Sequence, residues 1–229
     1  MIGENDIDHE RMAADERRRA MPSVFVPAMG MVSRQSCDTD ILERLLAGMD
    51  SVDPRLLEHG ERTARYSVAI GHALDLSGTE LVHLHFAGLL HDIGKLTLPR
   101  EMLWKEAPFS SYEYALMQCH PRSGAEMLTG IPFLRTAALW VAHHHERWDG
   151  TGYPYGLRNL LIPLGSRILA VADLFDELAS GKEPSKSPRV AMAVLSRAAG
   201  AALDPLLVER FLAILTARPG IVEQNDTSR

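Results

Sequence analysis

An all-α fold is expected from three features of this 229-residue chain. Apolar residues recur at steps of three and four through most of it, which is the period of a helix packed on one face. No stretch sustains the period-two alternation of a half-buried strand. A capping residue precedes a glutamate by three positions at Asp40/Glu43, Ser77/Glu80 and Ser110/Glu113, the spacing of a capping box at a helix start.

Taken in order, residues 1–36 are charged, Met-rich and aperiodic, and read as a disordered or loosely docked arm. Residues 21–32 follow Arg17-Arg18-Arg19 but contain Pro22 and Pro27, which argues against a signal peptide. A first helix is expected from Asp40, with Ile41, Leu45 and Met49 on one face. Asp53-Pro54 supplies the N-cap and first position of a second. In that helix Leu56, His59, Thr63, Tyr66, Ile70 and Ala73 form one inward stripe. Ser77 opens a third helix toward Leu90, and Gly94 stands where a C-terminal glycine belongs. Pro99 opens a short turn through Trp104. The helix capped by Ser110 is expected to stop near His120-Pro121, because proline disfavours helix in the residue before it. A helix over 133–146 places Leu134, Ala138, Val141 and His145 on one face.

The Gly/Pro-rich stretch 149–163 is too long for a plain connector, and such loops are usually functional. Pro163 starts a helix burying Leu164, Ile168, Val171, Ala172 and Phe175, which Asp173 and Asp176 interrupt. A polar loop over 181–188 leads to helices over 189–199 and 205–217, the second capped by Asp204. Residues 219–229 read as a polar, frayed tail.

Composition narrows the classes of function. A hydrophobic fraction of 46% suits a globular protein with a real core. The net charge of -6 argues against a nucleic-acid polymer or an anionic membrane as partner. No apolar run reaches membrane-spanning length. Cys37 and Cys119 make no disulfide framework, so a cytoplasmic location is expected.

The chemistry concentrates in His91-Asp92-Ile93-Gly94-Lys95 and in His143-His144-His145-Glu146, which runs into Asp149-Gly150 and Gly152-Tyr153-Pro154. The ligand-type residues on inward faces or helix ends are His59, His91, Asp92, His120, His144, His145 and Asp173. Any one of them alone is more simply a satisfied core or helix-end residue. As a set they suit borderline divalent metals. Seven exceed the needs of one ion but fit two ions bridged by a carboxylate, for which Asp92 is the central choice. Two metals about 3.5–4 Å apart can share a water, lower its pKa and hold both oxygens of a phosphoryl displacement. Lys95, one turn beyond Asp92, can meet developing phosphate charge. Helical residues turn by about 100°, so the three consecutive histidines cannot face one site. Projected from Leu134, Ala137, Ala138 and Val141, His145 and His144 fall about 40° and 60° from the buried centre, and His143 roughly 160° away.

These motifs resemble the HD phosphohydrolase superfamily and, with Gly152-Tyr153-Pro154, its HD-GYP family. The resemblance covers about residues 56–211. It implies an HD-domain helical bundle with extra C-terminal helices, occupying residues 37–218. The implied activity is hydrolysis of cyclic di-GMP to pGpG or GMP. Iron or manganese is the implied metal, with zinc, cobalt or nickel as alternatives. The resemblance makes the seven residues above metal ligands, gives Asp92 and Lys95 catalytic roles and places Lys95 on a substrate phosphate. It also puts Gly152, Tyr153, Pro154 and Lys182 at the substrate, and offers the Gly152-Tyr153-Pro154 loop to a diguanylate cyclase (GGDEF) partner. Two departures stand out. Trinuclear members carry a glutamate where this chain has Arg55, so two metals are expected. The phosphate-gripping Arg-Pro-Tyr-Arg/Lys stretch reads Lys182-Glu183-Pro184-Ser185 here, and lysine lacks the bidentate fork of arginine. The competing readings are hydrolysis of another nucleotide or phosphate ester, and a binding module without hydrolysis.

Overall fold

The computed structural model describes residues 35–105, 108–180 and 186–223. Residues 1–40 and 41–229 separate into two units. Of the first, only residues 35–40 are described, as the opening of helix α1 (Gln35–Val52). The rest of the arm, the terminal 224–229 and the Lys182 and Ser185 positions lie outside the described residues.

Ten further helices follow among the described residues. They are α2 (Pro54–Ala73), α3 (Gly78–Leu90), α4 (Arg100–Leu103), α5 (Ser111–Met117), α6 (His120–Thr129), α7 (Arg135–Ala142), α8 (Leu164–Ala179), α9 (Pro188–Ala198), α10 (Pro205–Ala217) and α11 (Gly220–Glu223). Short 3-10 turns cover Ile93–Thr97, Pro132–Leu134 and Asn159–Leu161. Among the described residues there is no strand, only an isolated bridge between Ala199 and Leu203. No described helix is long and apolar enough to cross a membrane.

Local chemistry accounts for several helix starts. Asp53 accepts the Arg55 N–H at 3.0 Å with Pro54 at the first position of α2. Ser77/Glu80 and Ser110/Glu113 form complete capping boxes on α3 and α5. Asp204 caps α10 through the Leu206 N–H. Each such cap contributes about 1 kcal/mol.

Elsewhere the structure corrects the sequence reading. Helix α1 already runs at Gln35, so Asp40 sits inside it and caps nothing. Ala73 is exposed because α2 ends there. Leu164 is only half-buried at the first position of α8. Pro121 starts a helix instead of stopping one: α6 begins at His120, where a missing N–H costs nothing. Helix α7 ends at Ala142, before the histidine triplet. The tail opens with one more helical turn, and Ile221 and Val222 pack on the core.

Two apolar clusters form the interior. Tyr66, Phe175 and Phe211 anchor one, with ring centroids 5.0 and 5.1 Å apart for the two pairs involving Phe175, joined by Ile70, Leu84, Ile168, Leu195 and Leu207. Leu56, Ala64, Leu90, Ile93, Leu128, Leu134 and Val141 form the other. Helices α2, α3 and α8 contribute to both, so the segments that carry His59, His91 and Asp173 are held from two sides. Gly60 and Gly88 set how closely α2 and α3 approach. A Cβ on Gly60 would come within 2.4 Å of the Leu89 carbonyl oxygen, and one on Gly88 within 2.5 Å of Ala64 Cα. That contact brings His59 beside His91. Gly94 has a similar use and is no helix terminator. Its Cβ would lie 2.0 Å from the His120 carbonyl oxygen, so only glycine lets the 3-10 turn lie on α6.

Candidate metal centre

Helix ends supply most of the cluster. His91 and Asp92 follow α3, His120 opens α6, and His144 and His145 follow α7. His59 and Asp173 come from the interiors of α2 and α8. Two ligand groups result, His59/His91/Asp173 and His120/His144/His145, each with donor atoms within 4.8 Å of one another.

Asp92 joins them. Its Oδ2 lies 3.6 Å from His91 Nε2 and 4.0 Å from His59 Nε2. Its Oδ1 lies 3.3 Å from His120 Nε2. The side chain is buried and Oδ1 has no hydrogen-bond partner. A buried carboxylate oxygen without a donor is costly unless a cation meets it.

The imidazoles lead to the same conclusion. His91, His120 and His144 each place Nδ1 2.7 Å from the backbone carbonyl three residues earlier, at Gly88, Met117 and Val141. A carbonyl only accepts, so Nδ1 carries the proton and Nε2 presents a lone pair. Nε2 of His91 nevertheless stands 3.2 Å from Nε2 of His59, and Nε2 of His120 3.3 Å from Nε2 of His144. For His120 and His144, lone pair faces lone pair at a distance that a shared cation would relieve. The residues therefore fit a divalent metal pair.

Charge differs between the two groups. Burial opposes protonation of His59, but hydrogen bonds to Asp173 (2.9 Å) and Asp176 (2.7 Å) outweigh it and raise the imidazole to about 10. Burial, then the neighbouring His145, holds His144 well below its ordinary value. Burial lowers His145 to about 4. Neutral imidazole is the form that binds metal. Burial disfavours the Asp92 carboxylate, yet Lys95 and the histidines keep it well below the usual range.

Lys95 Nζ donates to Asp92 Oδ2 at 2.6 Å and lines a cleft of about 370 Å³ beside the cluster. Asp92, His120, His145, Tyr153 and Asp173 line it too. Of the loop triplet, only Tyr153 lines the cleft, its ring stacked on His145 at 4.9 Å. Gly152 tucks under the backbone, where a Cβ would meet Arg147 N at 2.3 Å, and Pro154 is exposed. His143 turns away, with Nδ1 on the Leu139 carbonyl and its ring beside Tyr155. His144 and His145 turn toward the cluster and His143 away from it, although the helix ends before the triplet and does not continue through it. Arg55 does not face the cluster. It grips Asp53 and stacks over Trp104 at 4.4 Å, so its charge is spent at the mouth of α2.

Three further residues belong to this neighbourhood. Asp176 holds His59 Nδ1 while accepting two bonds from Arg62 and one from Ser180. Its interruption of an apolar helix was the available signal. Glu146 is buried and accepts the Tyr155 and Leu157 N–H groups at 2.7 and 2.9 Å, fixing the loop that carries Tyr153. Backbone donors leave no trace in a sequence. Glu177 lines the cleft one turn beyond Asp173.

A family model described as "HD domain" matches residues 41–207. The chain is 33% identical over 86% of its length to the cyclic di-GMP phosphodiesterase response regulator RpfG of Xanthomonas campestris, covering 53% of that protein. It is 31% identical over 80% of its length to 3'3'-cGAMP-specific phosphodiesterase 2 of Vibrio cholerae, covering 36% of that protein. The chain thus spans about half or less of these curated relatives. Its fold is similar to that of a cyclic GMP-AMP specific phosphodiesterase of V. cholerae, with TM-score 0.62 and 23% identity over 82% of this chain and 51% of that one. The matched span contains all seven clustered residues and the loop that follows them, and the chain belongs to the HD domain family.

Proposed function

We propose that this chain is a metal-dependent phosphodiesterase acting in the cytoplasm on a cyclic dinucleotide, cyclic di-GMP first, to give pGpG, GMP or both. Asp92 carries the reading: one buried carboxylate aims an oxygen at each histidine group, with Oδ1 unpartnered, beside Lys95 in an open cleft. The names of the two curated relatives support the substrate class. His59, His91 and Asp173 would hold one ion, His120, His144 and His145 the other, and Asp92 both. Iron or manganese suits this nitrogen and oxygen set. Two such ions, when bound, supply Lewis acidity and lower the pKa of the water that attacks phosphorus.

The chain's own groups do the rest. Lys95 holds a fixed positive charge 2.6 Å from Asp92, where a phosphate meeting the centre gains negative charge. Tyr153 keeps His145 in place and walls the cleft on that side. The exposed Tyr155, Leu160 and Leu161 that follow Pro154 give the loop an apolar surface for a diguanylate cyclase partner.

Metal-loaded protein incubated with cyclic di-GMP, with products separated by chromatography, tests the activity. Lys95→Ala should lower turnover by roughly 100- to 1000-fold, about 3 kcal/mol, with metal content retained. Unchanged hydrolysis by verified metal-free protein, or near-normal turnover in the variant, overturns the reading.

A further inference from the structure

The cleft contains a carboxylate for which the reaction at the metal centre has no use. Asp92, His120, His145 and Asp173 face the metal positions, and Lys95 stands beside them. Leu56, Met102, Leu103, Phe109 and Met117 make an apolar wall. Other polar groups in the lining are already committed. Asp53 is bound by Arg55, and Lys105 is paired with Glu113 at 2.6 Å. The Tyr153 ring is held against His145, and its hydroxyl is a donor that a phosphate can use. Glu177 remains. It is exposed and makes no hydrogen bond or ion pair with any described residue.

Its position limits what it can meet. It lies four positions beyond Asp173 on the helix, so it stands on the same face about 6 Å further along α8. A phosphate bound at the metals lies at the Asp173 end, and the attached nucleoside extends past it. Desolvation in the cleft and the nearby Asp173 raise the Glu177 carboxyl to about 7 in the metal-free protein, so the comparison of substrates is made at pH 8 or above, where the ionised carboxylate only accepts hydrogen bonds and repels phosphate. Its partner on the ligand must therefore be a pair of donors on the nucleoside side. Guanine presents N1–H and an N2 amino hydrogen side by side, matching the two oxygens of one carboxylate. Adenine presents an unprotonated N1 at the same edge, which would face the carboxylate lone pair to lone pair. The apolar wall with Phe109 offers a surface for the face of a base.

We infer that Glu177 reads a guanine base of the substrate and makes the cleft selective for guanine-containing over adenine-only cyclic dinucleotides. This rests on the phosphodiesterase reading and names the part of the substrate that the metal centre itself cannot distinguish. The base lies beside Phe109 with its Watson–Crick edge toward α8, and the scissile phosphate lies at Asp92 and Lys95.

The test compares kcat and KM for cyclic di-GMP, 3'3'-cGAMP and cyclic di-AMP, with bis(p-nitrophenyl) phosphate as a diester without a base. Wild-type protein and Glu177→Gln are used, both metal-loaded and with metal content measured. Glutamine keeps the size but places a donor where guanine also has donors. The ratio of kcat/KM for cyclic di-GMP over cyclic di-AMP should fall by about 10- to 100-fold in the variant, mainly through KM. The loss on bis(p-nitrophenyl) phosphate should be much smaller. Equal losses on all four substrates would place Glu177 at the phosphate or the metals and overturn the inference. So would an unchanged ratio, or a wild-type enzyme indifferent to the base. Metal-loaded protein that cleaves no diester sinks the phosphodiesterase reading instead. Equilibrium binding of cyclic di-GMP and cyclic di-AMP to the two proteins then tests Glu177 separately, and equal affinities overturn it.

Discussion

The two halves of the metal centre are built from the same ring but backed by opposite chemistry. His59 and His91 stand with Asp173, and His59 has the second carboxylate Asp176 behind it, itself fixed by Arg62. Among the described residues no such carboxylate stands behind His120, His144 or His145; for His120 and His144, as for His91, the group behind the ring is a backbone carbonyl. One half gathers positive charge when empty, raising His59 to about 10, and the other repels it, lowering His145 to about 4. Affinity for a cation thus arises in two ways. On the proposed metal binding, the first half would exchange a proton for the ion. The second holds free lone pairs and needs only the ion.

Breaking the link between the halves should have the largest effect. Asp92→Ala removes the only carboxylate that faces both groups among the described residues, and turnover should fall about a thousandfold or more with metal lost from both halves. Elemental analysis and a phosphodiester assay on the same preparation check this. Retention of two ions would show that Asp92 is no bridge.

Asp176→Asn sharpens the comparison by weakening one half alone. The variant should bind one of two ions about 10- to 100-fold more weakly, since a supporting carboxylate orients its ligand and raises its basicity. A calorimetric metal titration should show one step moved and the other in place. Two steps moved equally would mean that the halves act as one.

The pH response of the metal-free protein should divide along the same line. The folded value of His59 is raised from 6.5 to about 10, so its contribution to stability is complete below 6.5 and is lost as pH rises through about 10. The folded value of His145 is depressed to about 4, so destabilisation grows as pH falls from 6.5 through about 4. Denaturant unfolding of chelated protein across this range should show both limbs. His59→Gln should flatten the alkaline limb and His145→Gln the acidic one. If each variant flattens the other's limb, the assignment of charge is reversed.

The smallest effect belongs to the third histidine of the triplet. His143→Ala should keep both metals and full turnover, with stability altered by less than about 0.5 kcal/mol, because among the described residues the ring meets the Leu139 carbonyl and Tyr155. Loss of metal in this variant would place His143 at the centre.

Much of this arrangement was legible because its causes are local. Ser77/Glu80 and Ser110/Glu113 cap their helices with groups three residues apart, so spacing alone reveals them. The ligand-type residues were visible because imidazoles and carboxylates are rare on apolar faces. Pro121 misled because one residue type both stops and starts helices, and only the chain beyond it decides. Gly94 misled in the same way: its reason is the backbone of α6 pressed against it, which no neighbour in sequence announces. The Asp176 brace on His59 joins residues 117 positions apart, and Glu146 binds bare N–H groups. Asp176 shows in the sequence only as a charge interrupting an apolar helix, with nothing to name His59 as its partner, and Glu146's backbone partners leave no pattern at all.

The carbonyls that hold His91, His120 and His144 have a consequence for the timing of order. Gly88, Met117 and Val141 lie in the last turns of α3, α5 and α7, where carbonyls lack a helical partner. Each ring therefore loses its rotamer entropy, roughly 1 kcal/mol, when its helix ends are made, well before any ion arrives. His59 is frozen only when α8 docks and brings Asp176 against it. Ion capture then has little disorder left to remove at three of its five imidazoles. The empty protein is in effect a rigid chelator, and its speed of loading should follow how fast the ion sheds water, not how fast the chain rearranges.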